Sequence, residues 1–147
     1  MTLSLNGSLP GNQFADGPAF SVYQTVAQTI LTTFTKLIWQ VEEFDTANLF
    51  DLANSRFIPN VAGYYYLNAG VTPSGATTIP MGLYKNGIRY KILNNGGGTE
   101  SSAMGGCLVY LNGITDYVEI YAAFGVSQTT SIDASNTYFQ GHMVRSA

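Results

Sequence analysis

His142 is the one histidine of the chain, so any Ser-His-Asp triad would have to run through it. It falls in a segment that alternates like a strand, with Tyr138 and Gln140 on its face, and it reads as an outer-face or subunit-seam residue. Cys107 is also single. One His and one Cys cannot build a structural zinc site within a chain, and one Cys forms no intrachain disulfide. It reads as a small core residue. Glu42, Glu43 and Asp45 are close in sequence, but glycoside hydrolysis needs two carboxylates converging on one bond, and neighbouring strand residues point to opposite faces. Calcium would need clustered oxygen ligands; no Asp-x-Asp pattern occurs, and Asp45 and Asp51 read as loop or cap residues. Asn94 to Gly98 is glycine-rich but no helix pattern follows, so it lacks the setting of a phosphate cradle and reads as a mobile loop. The expectation is a chain that is not an enzyme, with no catalytic residue, no cofactor and no metal.

Composition narrows the partners. Charged residues make up 10% of the 147, against roughly 25% in an average soluble protein, while 46% are hydrophobic and there are ten Tyr and eight Phe. A weakly charged, tyrosine-rich exterior suits a protein that buries surface against partners, and self-association is the simplest form of that. Seven tyrosines, at 64, 66, 90, 110, 117, 121 and 138, are candidates for subunit contacts or for stacking on glycans. The six cations, Lys36, Arg56, Lys85, Arg89, Lys91 and Arg145, are scattered and the net charge is −3, so no basic stripe exists for nucleic acid. No run of about 18 apolar residues offers a membrane span, and Met1 to Pro10 lacks the basic and apolar regions of a signal peptide. Asn6-Gly7-Ser8 is a formal glycosylation sequon that reads as a turn without such a signal.

The elements that would position these residues are strands. Residues 1–18 carry Gly7, Pro10, Gly11, Asn12, Gly17 and Pro18, breakers too closely spaced for a regular element, and form an irregular arm. Its apolar Leu3, Leu5, Leu9 and Phe14 cannot make a core of their own and are candidate partner contacts. From 19 to 147, runs of β-branched and aromatic residues alternate with turn clusters, as in a sandwich or barrel. Lys36 to Phe44 reads as one strand with Leu37, Trp39 and Val41 on one face; Gly63 to Val71 puts Tyr65, Leu67, Ala69 and Val71 on one face. Asn86-Gly87 between two apolar runs predicts a type I′ hairpin, and Asn112 to Asp116 a second turn. Strands at 108–111 and 117–124 flank that turn, with Val118, Ile120, Ala122 and Phe124 buried, and the last strand spans 137–145. Val26, Ile30, Phe34, Leu37 and Ile38 also approximate helical spacing, but Thr at 29, 32, 33 and 35 favours extended structure.

One pattern reaches further. Trp39, Asp45, Phe50, Phe57, Gly63, Tyr65, Leu67 and Ala69 keep the spacing of the C1q-domain signature, in which an aromatic, Asp or Asn, an aromatic and Phe precede Gly-x-Tyr-x-Phe-x-aromatic. Trp39 stands for the first Phe, and Leu67 and Ala69 replace the last two aromatics with smaller side chains. Leu83 to Gly87, Leu111 to Val118 and Tyr138 to Gly141 resemble the later blocks of the family, so the resemblance spans about Ala19 to Val144. It implies an all-β jelly-roll sandwich of about ten strands, C1q/TNF-like, assembled as a compact homotrimer. Trp39, Phe50, Phe57, Gly63, Tyr65 and Leu67 are then structural core rather than site residues. Val61 to Tyr65 and Tyr84 to Tyr90 further resemble domains of this type in phage virions. That implies a virion structural protein, assembled in the host cytoplasm: a trimeric decoration or cement protein held to capsid or tail by its N-terminal arm. The other reading is a tail-fibre knob or similar recognition module binding a host surface glycan or protein through loops such as Asn94 to Gly106. No collagen triplets, signal peptide or shaft precede the domain, which favours decoration.

Overall fold

The computed structural model describes residues 17–147, and these form a β-sandwich of thirteen strands with no helix. One sheet has the order β10 (Ala103–Leu111), β7 (Gly63–Val71), β13 (Tyr138–Ser146), β1 (Ala19–Tyr23), β4 (Val41–Asp45). The other runs β5 (Phe50–Asp51), β6 (Arg56–Phe57), β11 (Val118–Ala122), β8 (Met81–Lys85), β9 (Ile88–Asn94), and β3 (Thr35–Lys36) also pairs with β11. β2 (Thr29–Ile30) and β12 (Gln128–Thr129) form a small separate ribbon. The interleaved strand order is that of a jelly roll, as the resemblance implies.

Alternation builds the core. Along β7, Tyr65, Leu67, Ala69 and Val71 point inward, and β11 sends Val118, Ile120 and Ala122 to meet them from the other sheet. Aromatics fill the space between: Phe20 stacks on Phe57 with ring centres 4.4 Å apart, Phe139 meets Phe20 edge-on at 5.0 Å, and Trp39 lies 6.2 Å from Phe139. Trp39, Phe50, Phe57, Tyr65 and Leu67 are all buried, as is Gly63. Tyr65 keeps its hydroxyl satisfied by donating to Val61 O at 2.7 Å, and burial pushes its pKa up to about 12.

The chain between 36 and 44 is not one strand. β3 hydrogen-bonds into the six-stranded sheet, where Leu37 N donates to Ile120 O at 2.9 Å; three residues later Gln40 N donates to Tyr23 O at 3.2 Å in the five-stranded sheet. Leu37 and Trp39 therefore sit on a crossing between sheets, both facing the core from it. The stretch with helix-like spacing is extended and supplies β2 and β3, as its threonines favour.

Turn chemistry fixes two connections. Asn86 and Gly87 have φ of +54° and +78°, the two positive values of a type I′ turn. In the 112–116 turn, Asn112 Oδ1 accepts the N–H groups of Ile114, Thr115 and Asp116 at 2.9–3.0 Å, while Gly113 adopts φ +68°. A Cβ on Gly113 would meet the backbone of Val61 and Ala62. Gly113→Ala is therefore expected to cost about 2 kcal/mol, from left-handed strain plus overpacking. Denaturant unfolding checks this, and an unshifted midpoint would mean that the turn can yield.

Candidate functional site

The residues with chemical potential are dispersed, and each has a local structural role. His142 is exposed on β13, its ring centre 6.2 Å from that of Tyr66, in a hollow lined by Ala19, Phe44, Tyr66, Asn68 and Gln140. Among the described residues no serine or carboxylate lines that hollow. Glu43 Oε2 accepts from the Ser21 hydroxyl at 2.9 Å, and the Asp45 carboxylate caps the turn that follows by accepting from Ala47 N and Phe50 N. Asp51 is held below the usual carboxylate range by the Asn54 side-chain amide, against partial burial and with help from Asn54 N and Arg56. No group of three or more His, Cys, Asp or Glu comes together among the described residues. Cys107 is half-buried against the core, and burial pushes its thiol up against the opposing charge of Lys91, which keeps it protonated rather than a reactive thiolate.

The loop from Asn94 to Gly106, offered as a recognition loop, is shorter than the sequence suggests. Gly105 and Gly106 belong to β10, so the connection covers only 95–102. It is tied at both ends: Asn94 Nδ2 donates to Ile79 O and Glu100 Oε2, each at 2.8 Å, and Glu100 exchanges backbone hydrogen bonds with Thr77.

What the fold does assemble is a face. Residues of β7 and β10 that do not enter the core point out from the five-stranded sheet, and they are large and uncharged: Tyr64, Tyr66, Met104, Leu108 and Tyr110, each between 39% and 54% exposed. Phe44 on β4 extends the patch across the sheet. Tyr64 and Tyr110 contact each other with ring centres 5.5 Å apart. A second hollow opens at one end, between Tyr64, Leu108, Val144 and Ala147. In the first, the amide oxygen of Asn68 is buried with no hydrogen-bond partner among the described residues. Gly106 leaves the room these side chains occupy, since a Cβ there would press on the Tyr66 hydroxyl and on Asn68.

The seven tyrosines thus divide. Tyr64, Tyr66, Tyr110 and the half-buried Tyr138 belong to this sheet; Tyr90 lies on β9, and Tyr117 and Tyr121 on the other sheet or its approach. Tyr121 stacks on Tyr84 at 4.0 Å and is occupied there. Three buried carboxylate and amide clusters escape sequence reasoning. Glu119 pairs with Lys36 at 3.0 Å, Asp116 pairs with Lys85 at 2.9 Å, and Gln24, Gln28 and Thr130 are hydrogen-bonded to one another beside the β2–β12 ribbon. Their partners lie up to 106 residues apart, and no short spacing announces them.

No family model matches the chain, and no curated protein matches it. Solved structures do. The globular domain of zebrafish complement 1qA superposes with a TM-score of 0.63 at 16% identity, covering 89% of this chain and 99% of that one. Murine APRIL gives 0.66 at 12% identity, with 87% and 99% covered, and the Eiger TNF of S. frugiperda gives 0.66 at 12%, with 90% and 95% covered. The fold is therefore C1q/TNF-like.

Proposed function

We propose that this chain is a non-enzymatic structural protein of a phage virion, a homotrimeric decoration or cement protein whose residues 1–18 anchor it to the particle. The observation that carries the self-association is the outer face of the five-stranded sheet. Its exposed Tyr64, Tyr66, Met104, Leu108 and Tyr110 form a patch of the kind that is covered in an assembled protein, rich in Tyr and Met and without charge at its centre. A second apolar strip, Ile88, Tyr90 and Ile92 on β9, lies elsewhere on the sandwich. Two unlike surfaces on one chain favour a head-to-tail contact that closes into a ring over a two-fold dimer, which uses one surface twice. The trimer implied by the C1q/TNF resemblance meets that need. The virion assignment draws support from the phage-like blocks at Val61 to Tyr65 and Tyr84 to Tyr90.

Light scattering at micromolar concentration is expected to give three times 15.8 kDa. A stable monomer overturns the reading. The arm lies almost wholly outside the described residues, and its Leu3, Leu5, Leu9 and Phe14 are the groups proposed to meet the particle. Deleting residues 1–17 should leave the trimer folded while weakening its attachment to stripped particles. If the truncated protein binds them as well as the intact one, the anchoring role is wrong; if it melts early and binding merely follows folding, the arm closes over its own trimer instead.

A further inference from the structure

Four asparagines of the chain are followed directly by glycine, Asn6, Asn86, Asn95 and Asn112. Asn6 lies outside the described residues. Such a pair is open to one covalent reaction that needs no enzyme, because glycine has no side chain to shield its backbone nitrogen from the asparagine amide before it. That amide must be free to swing. In two of the three described pairs it is held: Asn86 Nδ2 donates to Asp116 Oδ1 at 2.8 Å while its Oδ1 accepts Tyr117 N at 3.0 Å. Asn112 is held more tightly still, with Oδ1 accepting the N–H groups of Ile114, Thr115 and Asp116 and Nδ2 donating to Thr115 Oγ1 at 2.9 Å. Asn95 differs from both. It is exposed just past the end of β9, and among the described residues neither its side-chain amide nor the Gly96 N–H has a hydrogen-bond partner. The glycine after it is required by the fold, since Gly96 takes φ +66° and a Cβ there would strike Pro80. Gly97 and Gly98 follow in open space, where a Cβ would meet nothing within 4 Å.

We propose that Asn95 is a site of spontaneous deamidation, and that the folded chain protects Asn86 and Asn112 from the same reaction. The Gly96 nitrogen attacks Asn95 Cγ and gives up its proton, a new N–C bond closes a succinimide ring, and the side-chain nitrogen leaves as ammonia. Water then opens the ring at either carbonyl, giving aspartate or isoaspartate, and no oxidant or reductant takes part. Either product carries one more negative charge at neutral pH, taking the net charge from −3 to −4. The new carboxylate stands next to Asn94, whose side-chain amide ties this connection to Ile79 O and Glu100. Isoaspartate also routes the main chain through the side-chain methylene, which lengthens the backbone beside that tie.

The test is a comparison of the three sites within one molecule. The full chain is held folded at mildly alkaline pH, and in parallel unfolded in denaturant, and peptide mass mapping follows the replacement of amide nitrogen by oxygen at each asparagine. Unfolded, the three should react at comparable rates, since each precedes glycine. Folded, Asn95 should react roughly tenfold or more faster than Asn86 and Asn112, because closing its ring breaks no hydrogen bond whereas each of the others must first give up at least two. Asn95→Ser should remove the reaction at this position and leave the slow rates at 86 and 112 as they were. If either of those sites reacts as fast as Asn95 in the folded chain, or if folding protects Asn95 as well as it protects them, the proposal is wrong.

Discussion

Phe57→Ala is expected to destabilise the folded chain by about 3–5 kcal/mol, the usual range for emptying a buried Phe site. Phe57 has no exposed surface and is touched from three directions. Phe20 stacks on it from the five-stranded sheet at 4.4 Å, Tyr65 meets it edge-on at 5.6 Å, and Phe50 and Val118 are its neighbours across the strands on either side. β6 is only two residues long and is the link between β5 and the rest of the six-stranded sheet. Truncation therefore opens a cavity whose walls belong to both sheets, and neither can close in without breaking its own pairing. Urea unfolding at fixed protein concentration measures it, concentration being fixed because an assembling chain gains stability by mass action. A midpoint within error of wild type would mean that the cavity collapses and that Phe57 is not a keystone of the core.

Phe57 was legible through its place in the C1q-like spacing, and the long strands through a local rule. A large apolar side chain at alternate strand positions must face a neighbour, and β7 shows it: Tyr65, Leu67, Ala69 and Val71 go in while Tyr64 and Tyr66 stay out. Alternation does not say which sheet a residue joins. Leu37 and Trp39 continue the period of Val41, yet backbone hydrogen bonding passes from β11 to β1 between Leu37 and Gln40. Glycine misleads in the other direction. Gly105 and Gly106 look like loop residues, but they lie in β10 because the Leu93 carbonyl, the Tyr66 hydroxyl and Asn68 approach too closely for a side chain. The apolar outer face was half legible, since seven tyrosines stood out as surface candidates, but Met104 and Leu108 join it only through the register of β10 on β7.

Asp116→Asn is the other change with a large expected effect, because this carboxylate is buried and fully employed. Its Oδ2 lies 2.9 Å from Lys85 Nζ and accepts Asn112 N at 2.9 Å, while Oδ1 accepts the Asn86 side-chain amide at 2.8 Å. It therefore joins the two turns, at 86–87 and 112–116, that close the same end of the sandwich. Burial alone would raise its pKa, but the hydrogen bonds from Asn86, Lys85 and Asn112 and the Lys85 charge outweigh it, so the carboxyl titrates below the usual range. The sign follows: with the folded value depressed, the contribution is complete above the unfolded value of about 3.9 and is lost as pH falls through the folded one. Asp116→Asn keeps the shape but removes the charge that Lys85 faces, and turns one acceptor oxygen into a donor set against the donors already there. The expected loss is about 3 kcal/mol at neutral pH, from an unpaired cation and unsatisfied donors at a buried site. The penalty should shrink as acid neutralises the wild-type carboxylate, so unfolding midpoints of wild type and variant converge below about pH 4. Lys85 is partly exposed and also donates to Tyr110 O at 2.8 Å, so Lys85→Met should cost less than Asp116→Asn. Equal stability of Asp116→Asn and wild type at pH 7, or a gap that widens in acid, would show that the carboxylate is not what ties the two turns together.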